Sequence, residues 1–360
     1  MTILCLCREE HHWKLIPGYA AAFRRRGIDF SCVDDSIPFD APLDVVLRTS
    51  STTPSAIFHF ESAHPLFPIG LEHSEIPTVC FHPDTYVFTE RRIHWSSVFD
   101  HAAVFHPGYK ERFARAGHPG AFLLPHAVRR EFFEGDELRR EFDIGWVGQT
   151  SGEFYKARAE WLPALATQFR TNDWSRPYTI YEVAKIYRQS RIVVNIGRDD
   201  FPQDANLRTF EALASGALLL TSLPTELTDL GFREGVHFVG CRHPSEIAAL
   251  VRRYLDDETA RAKISQAARE LIFAEHTYDR RVDQLLTRLA QAGKQKLAPA
   301  RSWPESRARL VALDFYAAHG LIDCAAKQFR HIAGHGFRET MLGASLLSRS
   351  WLKSLRVRRT

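Results

Sequence analysis

The stretch NIGRDDFPQDANLRTFEALASGALLLTS, residues 195–222, decides how this chain is read. The apolar run 192–196 predicts a strand that ends in a polar loop. A short helix is expected over about 207–215. Gly216 stops it and opens a second apolar strand at 217–221. The N-terminus of such a helix attracts anions through its free N–H groups and its dipole. Arg208 and Glu211, three apart, share one face of it. Arginine suits a phosphate or carboxylate, and glutamate suits a pair of sugar hydroxyls. Together they fit a nucleotide diphosphate with its ribose.

Outward from this stretch, short apolar runs alternate with helical patterns, the signature of β-α units and parallel sheets. Strands are expected at 2–7, 28–33, 44–47, 55–60, 77–81, 102–105 and 121–124, with helices at 13–26, 87–98 and 109–116. These make a first Rossmann-like domain, 1–135, whose end overlaps a charged linker at 125–140. The pattern restarts with a strand at 142–147, a glycine-bounded loop Gly148–Gly152, and helices at 154–169 and 181–190. A strand at 237–239 and helices at 244–255, 258–275 and 279–292 complete a second Rossmann-like domain, 141–293. The polar segment 294–304 marks a boundary before a helical extension, 303–360. Its helices at 307–319 and 322–332 form a hairpin around Gly320 that resembles a single tetratricopeptide unit, or a plain helical cap.

The 360 residues suffice for two domains with separate cores. A hydrophobic share of 45% and a charged share of 25% are those of an ordinary globular protein. The net charge of +4 is too small to argue for nucleic acid. The surplus is local: Arg349, Lys353, Arg356, Arg358 and Arg359 crowd the C-terminus without an acid, a tail that would contact a partner or a membrane surface, or simply be solvated. No apolar run reaches the ~20 residues of a membrane span. The start, MTILCLCREEHHW, lacks the basic opening and cleavage site of a signal peptide. The six cysteines form no CxxC pair and are expected to be reduced core residues in a cytoplasmic protein.

Three segments give a sharper match: NIGRDDFPQDANLRTFEALASGALLLT (195–221), GFREGVHFVGCRHPSEIAALVRRYLDDETARAKISQAARE (231–270) and AEHTYDRRVDQLL (274–286). Through them the chain resembles the CgeB-like group of glycosyltransferases, relatives of the large group-1 families. The N-terminal half is similar only loosely, through residues 99–128. The resemblance implies a GT-B architecture: two tandem Rossmann-like domains facing a cleft, with the donor nucleotide sugar on the second. It implies transfer of a sugar from a nucleotide-diphosphate sugar, a UDP-sugar by default, without a bound metal or other cofactor. It places Glu211 on the donor ribose. The larger family often carries another Glu eight residues earlier, where this chain has Gln203. The loop Asp204-Ala205-Asn206 would present N–H groups to the sugar or β-phosphate, with Asn195 at the strand end beside it. The loop after the second domain's first strand, in the relatives, meets the diphosphate. Gly148, Thr150, Ser151, Lys156 and Arg158 are its counterparts here, the basic pair neutralising the leaving group. His276, in EHTYDRR, is expected to pin the last crossing segment.

The first domain is expected to bind the acceptor, whether glycan, protein or small molecule. It is rich in histidines that follow strands, among them His59, His64, His82 and His106. Asp84 and His82 are the favoured catalytic bases. No metal-ligand spacing appears. Two alternatives stay open: a nucleotide-sugar epimerase or hydrolase on the same fold, and a binding or scaffold protein that has lost turnover.

Overall fold

The computed structural model describes residues 1–8, 15–50, 52–61, 66–83, 85–293, 295–333 and 340–348. Asp84, His11, His12, His64 and the basic residues of the tail lie outside them. The chain divides into two compact units, 1–124 with 284–360, and 125–283. The segment 303–360, expected as a separate extension, thus falls in the first unit.

The first unit alternates strand and helix: β1 (Thr2–Arg8), α1 (Ile16–Arg25), β2 (Asp29–Val33), α2 (Leu43–Thr49), β3 (Ala56–Phe60), β4 (Thr78–His82), α3 (Thr89–Ser96), β5 (His101–Val104), α4 (Pro107–Arg115) and β6 (Ala121–Leu123). The six strands are parallel in the order β2-β1-β3-β4-β5-β6. β3, β4 and β5 are buried on both faces, as parallel strands under helices must be. Residues 44–47, expected as a strand, lie in α2. Pro42 precedes the helix, Asp44 sits in its first turn, and Leu43 and Val46, three apart, are its buried residues. The pair Val45-Val46 suggests a strand only while that spacing is ignored. Helix α4 begins two residues earlier than expected, because the His106 side chain caps it by accepting from Gly108 N–H at 3.0 Å.

The second unit carries β7 (Phe142–Gly145), α5 (Lys156–Gln168), α6 (Ile180–Arg188), β8 (Ser190–Asn195), α7 (Leu207–Ala214), β9 (Leu218–Ser222), α8 (Thr225–Asp229), β10 (Val239–Cys241), α9 (Ile247–Asp256) and α10 (Glu258–Glu275). Helix α11 (Tyr278–Ala292) runs through the division at 283/284. The four strands are parallel, in the order β10-β9-β8-β7. Val193 and Leu219 face a core shared with α6, α7 and α10. Their neighbours Ile192, Val194, Leu218 and Leu220 face the other core, with α5 and α9. The last strand lies two residues beyond the expected 237–239, because Arg233–Val236 form a turn closed by Val236 N–H on Arg233 O at 3.2 Å.

Helices α12 (Glu305–Ala318) and α13 (Ile322–Ile332) join at Gly320, which adopts φ +74°. They form the expected hairpin, and α12 belongs to the first unit's core. Phe315 stacks on Phe67 with centroids 4.2 Å apart, Trp95 Nε1 donates to Asp314 at 2.8 Å, and the Tyr316 hydroxyl donates to Phe67 O. None of the six cysteines forms a disulfide. Among the described residues no helix is long and apolar enough to cross a membrane.

Candidate functional site

Parallel strands place the loops after their C-terminal ends along one edge of the sheet, where α/β proteins bind ligands. In the second unit these are the loop 146–155 after β7, the loop 196–206 after β8, and the turns after β9 and β10. A pocket of about 170 Å³ opens at this edge, lined by Asn195, Gly197, Asp199, Thr221, Ser222 and Cys241 among others.

Helix α7 is joined to this lining through Asn195. Asn206 caps the helix by accepting from Thr209 N–H at 3.3 Å, and Gly216 ends it at φ +75°. Asn195 is buried and donates to Thr209 Oγ at 2.7 Å, while its carbonyl accepts from Thr221 Oγ at 2.8 Å. Asn195 therefore ties β8 to α7 and β9. Arg208 and Glu211 are ion-paired on the first turns of α7, with side chains 21% and 10% exposed. Burial works against the Arg208 charge, but the Glu211 carboxylate outweighs it and raises the guanidinium pKa. The pair is thus no solvated surface bridge. Tyr187 lies against the same pair, and burial pushes its phenol up.

The polar loop ahead of α7 is braced from below. Glu226 on α8 is buried and accepts from Ala205 N–H at 2.7 Å, while its own N–H donates to Gln203 O at 3.3 Å. Burial, with Asp204 and Asp229 nearby, pushes Glu226 well above the usual carboxylate range. The N–H of Ala205 is therefore committed to protein and is not free for a ligand, contrary to the sequence expectation. Asp204 is half-buried beside it.

The other loop is organised by Arg158. It is buried, not a surface charge: Nε donates to Ile196 O at 2.8 Å and a terminal nitrogen to Gln149 O at 3.1 Å, joining the two ligand-edge loops. Tyr155 and Trp146 lie over its guanidinium at 4.2 and 5.1 Å. Burial lowers its pKa. Lys156, Gly148 and Ser151 are exposed, and Thr150 is half-buried. Asp199 takes the N-terminal N–H groups of α5, from Lys156 at 2.7 Å and Ala157 at 3.4 Å. Nothing in the sequence singles out Asp199 or Glu226. A carboxylate in a loop and a lone glutamate after Pro224 carry no local signal of what they hold.

In the first unit His82 is fully buried. Nδ1 meets Glu61 at 2.7 Å and Nε2 meets Ser96 Oγ at 2.9 Å. Both ring nitrogens are engaged within the core, an arrangement at odds with the expectation of an open base there. The histidines expected at an acceptor surface follow it: His59 is fully buried too, and His106 caps α4.

Residues 130–287 match the model of a family described as glycosyl transferase-like. This segment, somewhat under half of the chain, is thus similar to the glycosyltransferases. No curated protein sequence matches the chain significantly. Solved structures share this chain's fold at low identity. HepE from Anabaena, solved with UDP and glucose, is 11% identical with a TM-score of 0.55, covering 81% of this chain and 100% of that one. Sucrose-phosphate synthase from Thermosynechococcus elongatus is 12% identical with a TM-score of 0.53, covering 81% and 99%. An alpha-glucosyltransferase solved with UDP-glucose and DNA containing an abasic site is 11% identical with a TM-score of 0.54, covering 80% and 98%.

Proposed function

We propose that this protein is a glycosyltransferase that moves a sugar from a nucleotide-diphosphate sugar to an acceptor, with the nucleotide held at the C-terminal edge of the second unit's sheet. The observation that carries this reading is the buried pair on α7. A carboxylate paired with Arg208, on a helix whose Thr209 is bonded to the pocket-lining Asn195, can accept from both hydroxyls of a ribose. Lys156 is exposed at the same edge, and Arg158 carries its charge beneath it. On this reading these cations stabilise the departing diphosphate, the part a metal plays in other enzymes. The bond broken is that between the sugar's anomeric carbon and the diphosphate oxygen. The bond formed joins that carbon to an acceptor heteroatom, which loses its proton. Solved structures of the same fold hold UDP or UDP-glucose, which makes UDP the first nucleotide to try.

The test is calorimetric titration of UDP, GDP, TDP and CMP, then of their sugar conjugates, into wild type and Glu211→Ala. Loss of charge-assisted hydrogen bonds to ribose should cost about 1.5–3 kcal/mol, roughly 10- to 150-fold in affinity. A folded wild type that binds none of them at millimolar concentration would favour a scaffold without turnover. Equal binding by Glu211→Ala would remove the ribose role.

A further inference from the structure

The other edge of the second unit's sheet carries a second hollow, of about 560 Å³. Arg140, Arg188, Arg191, Arg261 and Arg269 line it, with Glu137 and Glu258. Arg140 lies just before β7, Arg188 and Arg191 flank the start of β8, Gly216 precedes β9, and Arg261 and Arg269 belong to α10. These are the entries to the strands, whereas the nucleotide edge is their exits. The two pockets share no lining residue.

The guanidinium groups are fixed mainly by backbone carbonyls. Arg140 donates to Arg188 O and Ser190 O at 2.8 Å and to Gly216 O at 2.9 Å. Arg188 donates to Asp136 O at 2.5 Å, Arg261 to Tyr254 O at 2.6 Å, and Arg269 to Phe133 O at 2.8 Å. A carbonyl satisfies a donor and leaves the positive charge in place. Carboxylates are fewer: Glu258 pairs with Arg261 at 3.3 Å, Asp143 with Arg191 at 2.9 Å, and Glu137 lines the hollow. Nε of Arg269 is buried with no hydrogen-bond partner. At Gly216 a Cβ would stand 3.2 Å from the Arg140 guanidinium, so glycine leaves that group its place. Burial lowers the Arg140 pKa, and Arg261, Arg188 and Arg269 lower it further against the pull of Glu137.

We propose that this hollow binds a small molecule bearing a diphosphate or two phosphate groups, at a site separate from the nucleotide edge. The volume lies within the range of ~300–1,000 Å³ usual for small-molecule sites. Several forked guanidinium groups converging on one space suit phosphate oxygens better than single ammonium charges would.

Inorganic pyrophosphate is the probe, titrated calorimetrically into the full chain at about 50 mM salt, where screening is weak. Wild type, Arg191→Gln/Arg269→Gln and Lys156→Ala are compared, with circular dichroism and melting as fold controls. The double variant should weaken binding by about tenfold or more and Lys156→Ala should leave it unchanged. Wild-type affinity should fall as salt rises. If the double variant does not fold, Arg188→Gln, which gives up one carbonyl contact, is read in the same way. Absence of binding to wild type, weakening by Lys156→Ala alone, or unchanged binding in a folded pocket variant overturns the proposal.

Discussion

The guanidinium of Arg281 donates to Nδ1 of His276 at 2.6 Å, and both side chains are buried. The same guanidinium donates to Pro125 O at 2.8 Å, His126 O at 3.2 Å and Glu275 O at 3.0 Å. One side chain thus fastens the end of α10 and the start of α11 to the first residues of the second unit. Arg281→Leu strands these acceptors and should lower unfolding free energy by about 2–4 kcal/mol. Urea unfolding followed by circular dichroism measures it; an unchanged midpoint would show that the clasp contributes nothing.

Acid should weaken the protein before its carboxylates titrate. Burial lowers His59 and His276 to about 3, and His101, His118 and His126 to about 4. Each is neutral in the fold and gains a proton more readily when unfolded, so stability is highest above the unfolded value near 6.5 and falls as pH drops toward the folded values. Each contributes up to about 1.4 kcal/mol per pH unit within that window. His59 also has two buried ring nitrogens without hydrogen-bond partners, set among Phe67, Phe99 and Phe315. His59→Phe should flatten the pH dependence and stabilise the neutral protein by about 1 kcal/mol. Melting curves between pH 7.5 and 4.5 in roughly unit steps decide it; a steeper acid loss in His59→Phe would be the contrary result.

Glu61 accepts from Arg92 at 2.6 Å through both of its oxygens and meets His82 at 2.7 Å. Burial alone would raise its pKa, but His319, His82 and the Arg92 charge hold it well below the carboxylate range. Glu61→Gln leaves Arg92 buried without its counter-charge and should cost about 3–5 kcal/mol. Glu61→Gln/Arg92→Met should recover at least half of that loss. Denaturant midpoints of the three proteins form the test, and a double variant weaker than Glu61→Gln would refute the charge argument.

Asp199 occupies the helix end nearest the proposed diphosphate. Asp199→Asn keeps a capping oxygen and removes the negative charge. Nucleotide diphosphates should then bind about 3- to 10-fold tighter. The titration used for Glu211→Ala reads this directly, and weaker binding would mean that Asp199 itself contacts the ligand.

Strand β8 and helix α7 are legible in the sequence because each has a clear local pattern: the apolar run Ile192–Val194, then a capped amphipathic run closed by Gly216. Helix α2 is not, since two adjacent valines look like a strand until the proline before them is weighed. At the site, the pairing of Arg208 with Glu211 follows from helical spacing alone. The role of Arg158 does not, because the aromatic rings and carbonyls that enclose it come from two other segments. His82 misleads for a related reason. A histidine ending a strand is equally compatible with an open edge and with a core, and only the packing of α3 selects the core.

The division of the chain also sets an order of events at the ribosome. Residues 125–283 are continuous and can fold as soon as they emerge. The first unit is interrupted: Trp95 waits 219 residues for Asp314, and Phe67 waits for Phe315 and Tyr316. Strands β1 to β6 are made first, yet their aromatic core is closed only when α12 arrives. Until then that surface is open to chaperones, proteases and other nascent chains. A stop codon between α11 and α12 would spare the second unit and leave the first as an aggregating remnant.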